Sequence, residues 1–215
     1  AGVQIVTGDT KVMGRGEIDG IALNTAGVGF AARPVDGAGL RPGDVLLVSG
    51  TIGDHGFTIL AARQDLRLEG ALRSDVAPLN GLIAAALAAG GDDVVALKDP
   101  TRGGLASALH ELAARSRVGI LLRERDLPVH REVRAAAELL GIDPLVAANE
   151  GKAVLGVRAR AAERVLAALR AHPLGREAAI VATCVAERPG DVILDTGFGK
   201  RLLAEIEGDP MPRIC

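Results

Sequence analysis

Twice in this chain a short apolar run ends in a glycine-bearing polar turn and then passes into a helix-forming stretch. In the first instance Gly43-Asp44-Val45-Leu46-Leu47-Val48-Ser49-Gly50 reads as a buried strand, Thr51-Ile52-Gly53-Asp54-His55-Gly56 as a turn, and Phe57–Ala62 as a helix. In the second, Val94–Leu97 is the strand, Lys98-Asp99-Pro100-Thr101-Arg102-Gly103-Gly104-Leu105 the turn, and Ala106–Arg115 the helix. The same reading predicts strands at Gly119–Leu122, Ala153–Val157, Ile180–Val185 and Asp191–Leu194. Further helices fall at Gly81–Ala89, Glu132–Leu140 and Ala162–Ala171. Strands interleaved with helices call for a mixed sheet covered by helices, an α/β or α+β domain from about Pro34 onward. Ahead of it, Val3–Val6 and the glycine-rich, alternating Ile18–Phe30 also read as strands.

With 215 residues, 48% of them hydrophobic, the chain can fill one large core or two small ones. Its 25 basic and 27 acidic residues are interspersed. No Lys/Arg stripe exists to neutralise a phosphate backbone, which excludes a nucleic-acid surface of the usual kind. Aromatic residues make up only 1%, so a bound purine would lie between aliphatic side chains or backbone. Two cysteines, Cys184 and Cys215, make no disulfide framework, and no signal peptide is legible. The longest apolar run, Leu82–Ala89, is far too short to span a bilayer. These features predict a soluble, reduced, cytoplasmic chain. It begins Ala1-Gly2-Val3-Gln4-Ile5-Val6, already within a strand-like run, and the expectation is a segment of a longer protein.

Four stretches carry side chains suited to chemistry. Gly8-Asp9-Thr10-Lys11 puts a carboxylate, a hydroxyl and an amine at a tight turn, a set that suits Mg2+ and phosphate; the plainer reading is a hairpin with a solvated lysine. The small residues around Gly53 leave N–H groups at a helix start for an anion. There His55 reads as a phosphate contact or acid–base group, or as part of a structural cap with Asp54. The Asp99 loop carries both an acid and an arginine, yet neither a Walker A pattern nor a dinucleotide fingerprint is present, so a nucleotide would be held differently. In Asn149-Glu150-Gly151-Lys152, Glu150 is a turn residue, or a base if the fold aims it at a pocket. Cys184 reads as a small buried hydrophobe.

The final stretch is Gly208-Asp209-Pro210-Met211-Pro212-Arg213-Ile214-Cys215. Each proline restrains the residue before it, so Asp209 and Met211 favour extended backbone and the tail should reach rather than coil. From Gly199 to Cys215 it could span up to about 50 Å.

Taken together and in order, Gly8-Asp9-Thr10-Lys11, Ile52-Gly53-Asp54-His55-Gly56, Asp99-Pro100-Thr101-Arg102-Gly103-Gly104-Leu105, Asn149-Glu150-Gly151-Lys152 and Pro212-Arg213-Ile214-Cys215 resemble the HypE family. That family comprises hydrogenase maturation proteins, carbamoyl dehydratases of the PurM-like ATP-dependent superfamily. The Asp99 element alone indicates the superfamily, being similar to loops of selenophosphate synthase and thiamine-phosphate kinase. The Pro-Arg-Ile-Cys end selects HypE. The resemblance covers nearly the whole chain and implies three parts: the end of an N-terminal ATP-binding domain over 1–33, a PurM-like C-terminal domain over 34–198, and a flexible carrier tail over 199–215. It also implies a preceding half-domain with further acidic ligands for Mg2+ and ATP.

The resemblance implies that Cys215 accepts a carbamoyl group from a HypF-like carbamoyltransferase. ATP-dependent dehydration then gives a thiocyanate, whose cyano group passes to iron on a HypC–HypD-like scaffold during [NiFe]-hydrogenase maturation. It further implies that Glu150 takes a proton and Lys11 polarises or relays. Asp9, Thr10, Asp54, His55, Asp99 and Thr101 would contact ATP, Asp9 and Asp99 would hold Mg2+, and the full-length protein would be a homodimer. The chemistry is coherent. A thiolate is a good carrier, although the terminal carboxylate disfavours it while Arg213 opposes that effect. Direct loss of the amide oxygen would expel something close to oxide, whereas phosphorylation makes it a leaving group. The amide protons then need a positioned base. Two other readings remain: a different PurM-like ATP enzyme without a carrier tail, and a non-catalytic docking domain that only presents Cys215.

Overall fold

Strand β1 (Val45–Val48) is apolar at every position, and its last three residues are buried. Such a run, without polar alternation, is what a strand covered on both faces requires. The computed structural model, which describes residues 2–31, 33–66 and 72–205, puts β1 inside a seven-stranded sheet. β1 pairs antiparallel with β4 (Val154–Val157) on one side and β5 (Ala179–Val185) on the other. β2 (Val94–Lys98) lies beyond β4 at one edge. Beyond β5 come β3 (Gly119–Arg123), then β6 (Val192–Asp195), parallel to β3, and finally β7 (Lys200–Leu202). The expected mixed sheet with covering helices is the observed architecture.

Helix α3 (Gly104–Ser116) offers Leu105, Leu109 and Leu112 at helical spacing, and all three are fully buried in a core with Leu46, Val48, Ile120 and Leu122. On the other face α2 (Asn80–Gly90) and α5 (Ala162–Ala171) supply Leu82, Ala86, Val165 and Leu169 around Leu47 and Leu155. Burial of each such side chain contributes roughly 1.5–3 kcal/mol, so the alternation of Leu46 and Leu47 across β1 fixes its register. A third, smaller cluster joins α1 (Asp54–Arg63) to α4 (Arg131–Leu140) through Phe57, Leu60, Val133, Ala136 and Ala137. That packing brings the first turn of α1 beside the start of α4, and the site is built there.

Three expectations change. Helix α1 begins at Asp54 rather than Phe57, because Gly53 adopts a left-handed φ of 86° and becomes the residue on which the helix starts. Asp54 is therefore a first-turn residue, where the helix dipole favours a carboxylate, and not the cap. The tail expected over 199–215 loses its beginning, since Lys200–Leu202 pairs with β6. Two charged residues there suit an edge strand. Cys215, with the rest of 206–215, lies outside the described residues.

The contacts group residues 1–34 as a separate unit from 35–215. In that first unit no strand forms at Val3–Val6 or within Ile18–Phe30 among the described residues, and Val3, Ile5, Leu23 and Phe30 are exposed. A strand needs a neighbour for its ladder, and the described part of this unit offers none. Among the described residues no helix is long and apolar enough to cross a membrane.

Candidate active site

Asn149 is the joint of the second unit. It is fully buried, and its side chain is engaged at both ends. Its Oδ1 accepts the Gly53 N–H at 2.8 Å, while Nδ2 donates to the carbonyls of Pro100 at 3.0 Å and Ala147 at 3.1 Å. The turn before α1, the loop before α3 and the stretch before β4 are thereby held by one amide. A second bond, Gly56 N–H to the Ala148 carbonyl at 3.0 Å, fastens the first turn of α1 to the same stretch. The N–H groups of Gly53 and Gly56, expected to face an anion, are thus taken up inside the protein.

Glu150 follows directly. Its N–H donates to Asp75 Oδ1 at 3.0 Å, and Lys152 Nζ donates to Asp75 Oδ2 at 3.1 Å. Lys152 also lies 3.9 Å from Asp54 Oδ2. Asp54 is buried, accepts a hydrogen bond from the Thr51 hydroxyl, and has its Oδ1 2.8 Å from His130 Nδ1. On its other side His130 Nε2 stands 3.3 Å from Glu177. Burial alone would depress the imidazole, but the hydrogen bond and charge of Asp54, with Glu177 behind it, outweigh that and raise His130 above its ordinary value. His55 is buried and pairs through Nδ1 with the Ser74 hydroxyl at 2.8 Å. Thr51, Asp54, Ser74, Asp75, His130, Lys152 and Glu177 line a cavity of about 410 Å³.

Asp99 is exposed, on the loop between β2 and α3 whose Pro100 is buried against Asn149. Its Oδ2 accepts the Thr101 hydroxyl at 2.7 Å and its Oδ1 lies 3.6 Å from Lys98 Nζ, which also pairs with Glu111 at 3.1 Å. Partial burial pushes the Asp99 carboxyl up, but the Thr101 hydrogen bond and the Lys98 charge prevail and hold it below the ordinary carboxylate value. A Mg2+ ion takes one or two carboxylates, with phosphate oxygens and water completing an octahedron. Asp99 fits that demand as one ionised, accessible carboxylate. Among the described residues no group of three or more His, Cys, Asp or Glu could hold a metal by itself.

Asp9, Thr10 and Lys11 belong to the first unit, where they are exposed and the Thr10 N–H donates to Asp9 Oδ1 at 2.8 Å. Of the expected site residues in the second unit, Asp54, His55, Glu150, Asp99 and Thr101, the Asn149 joint connects the loops that carry them all. Thr51, Ser74, Asp75, His130, Asn149, Lys152 and Glu177 join the site without any chemistry assigned to them from the sequence alone. Thr51, Asn149 and Lys152 had a signal, as members of the turns that carry Asp54 and Glu150.

Residues 41–195 match the family described as AIR synthase related protein, C-terminal domain. Over 218 residues the chain is 50% identical to carbamoyl dehydratase HypE of Azotobacter vinelandii, which accounts for all of this chain and 64% of that protein. Hydrogenase maturation protein HypE in complex with ATP is similar in structure, with a TM-score of 0.79 at 41% identity over 84% of this chain and 55% of that one. A chain of the HypE–HypF complex gives a TM-score of 0.77 at 40% identity, over 80% of this chain and 56% of its own. The chain therefore spans less than two thirds of the length of these relatives.

Proposed function

This chain belongs to the family of AIR synthase related proteins, and on that premise we propose that it is the larger part of a HypE-type carbamoyl dehydratase. The observation that carries the reading is the Asn149 joint. One buried amide holds the Gly53 turn, the Asp99 loop and the Glu150 stretch together, as a site that combines phosphate handling with proton removal needs. Relatives named carbamoyl dehydratase HypE, and a HypE structure that holds ATP, support it.

In this proposal Cys215 carries the carbamoyl group. ATP, when bound, supplies the phosphoryl group that makes the carbamoyl oxygen a leaving group. Asp9, Thr10, Asp99 and Thr101 are the residues that would hold Mg2+ and phosphate. Glu150 takes protons from the carbamoyl nitrogen and Lys11 polarises or relays. The nitrogen loses both hydrogens and the carbon its oxygen, which leaves a nitrile on sulfur: a thiocyanate able to donate cyanide to iron. Asp54 and His55 are occupied within the protein, by Thr51 and His130 and by Ser74, so Asp54 serves as wall of the cavity beside Lys152 and His55 as an anchor for Ser74, rather than as nucleotide contacts.

The partners of this reading are a HypF-like carbamoyltransferase, in line with the HypE–HypF structure, and a HypC–HypD-like iron scaffold. A cytoplasmic homodimer is the assembly it takes. The test is Cys215→Ala in the full-length protein, supplied with the carbamoyltransferase, carbamoyl phosphate and ATP. Carbamoyl-dependent turnover should vanish. A variant that keeps most of its rate would instead point to a small-molecule kinase of the same fold.

A further inference from the structure

We propose that Asp75 is a positioning residue for the dehydration step, holding the main chain of Glu150 so that its carboxylate meets the carbamoyl nitrogen. The inference rests on Glu150 being the base.

Three observations converge on Asp75. Its side chain is only 2% exposed, and both carboxylate oxygens are used, one by the Glu150 N–H at 3.0 Å and the other by Lys152 Nζ at 3.1 Å. A buried carboxylate is tolerated only when it is paired and hydrogen-bonded; here a single group fixes both flanks of Gly151. The second observation is Gly151 itself. A Cβ built there would stand 1.7 Å from the Asp75 carbonyl oxygen, so the two backbones are in direct contact and no side chain fits between them. Glu150 therefore has one register relative to Asp75, set by contact on one side and by a charge-assisted bond on the other. Third, Asp75 lies in residues 72–79, a stretch without helix or strand, yet its neighbour Ser74 is bonded to His55 at 2.8 Å. An irregular stretch is thus pinned at two adjacent residues, one to α1 and the other to the Glu150–Lys152 segment.

A purely structural carboxylate would, if removed, weaken every property of the protein together. A positioning carboxylate affects the step in which Glu150 acts and leaves earlier steps alone, since misplacement of a catalytic group by about 1 Å can cost ~100-fold. The chemistry separates the steps. Transfer of carbamoyl to the thiol needs no proton removal from the amide nitrogen, whereas its dehydration does.

The experiment uses the full-length protein, carbamoylated at Cys215, and follows loss of one water per chain by intact mass in a single turnover with ATP. Asp75→Ala should slow dehydration by about tenfold or more, with carbamoyl transfer and the KM for ATP within about twofold of wild type. Asp75→Asn, which keeps an oxygen for the Glu150 N–H, should stay within about threefold of the wild-type rate. Glu150→Gln should be inactive, and adding Asp75→Ala to it should change nothing further. A folded Asp75→Ala protein at the wild-type rate, beside an inactive Glu150→Gln, overturns this inference alone. Glu150→Gln at the wild-type rate removes the reading beneath it, and the inference with it. Should Asp75→Ala fail to fold, amide exchange at Glu150 in Asp75→Asn decides: a normal rate with the amide still protected supports the proposal, and a normal rate with protection lost contradicts it.

Discussion

The side-chain oxygen of Asn149 accepts the Gly53 N–H at 2.8 Å, linking two residues 96 positions apart. The three side-chain hydrogen bonds of Asn149 bring the Gly53 turn, the Asp99 loop and the stretch before β4 to one buried amide. The amide is suited to the task because it both accepts and donates: two carbonyls, of Pro100 and Ala147, need donors while the N–H of Gly53 needs an acceptor.

Asn149→Ala removes all three partners at once and leaves buried polar groups unsatisfied. It should destabilise the fold by about 3 kcal/mol or more, measured by chemical denaturation. Asn149→Asp is isosteric but can no longer donate to the two carbonyls, so it should rescue little.

Gly151→Ala should be more damaging than an ordinary surface change. Its Cβ would overlap the Asp75 carbonyl oxygen at 1.7 Å, and either the 72–79 stretch or the start of β4 must move. A loss of more than about 2 kcal/mol is expected by denaturation, with the Glu150 amide losing its hydrogen-exchange protection.

His130 links stability to pH. Its pKa is raised in the fold by Asp54 and Glu177 over the opposing effect of burial, so the charged imidazole stabilises the native state. That contribution is fully present below the unfolded imidazole value of roughly 6.5 and is lost as pH rises through the raised native value. The stability gap between wild type and His130→Gln should therefore be widest at about pH 5–6.5 and narrow towards pH 9. A titration of the His130 ring by NMR should give a midpoint above the free imidazole value.

Cys184 should resist modification in the native protein. Cys184 is 1% exposed on β5, and burial, together with Asp44, pushes its thiol up to about 12. Native protein treated with an alkylating agent near neutral pH should leave Cys184 unmodified, and denaturant should release it. Rapid native labelling of Cys184 would contradict the packing described for β5.

The sheet and its helices were legible because apolar runs such as Val45–Val48 and spaced leucines such as Leu105, Leu109 and Leu112 carry their own periodicity. Strand β7 was not, being three residues long with two charges, too short for any period to register. The motif acids Asp54, Asp99 and Glu150 stood out by their glycine neighbours. What surrounds them did not. Asp54 meets His130, 76 positions on, and Glu150 meets Asp75, 75 positions back. Neither Ser74-Asp75 nor His130 lies in a stretch with a local pattern, so their roles depend on how α4 packs on α1 and where residues 72–79 pass. The same gap explains why the Gly53 turn read as an anion site: its N–H groups are accepted by residues far away in sequence.

The mass of Cys215 itself tests the carrier role most directly. Full-length protein is incubated with the carbamoyltransferase, carbamoyl phosphate and ATP, and the intact chain is weighed over time. One carbamoyl adduct, mapped to Cys215, should form and then lose the mass of one water only when ATP is present. A chain on which Cys215 never gains the adduct, or gains it and keeps it unchanged with ATP, would contradict that role.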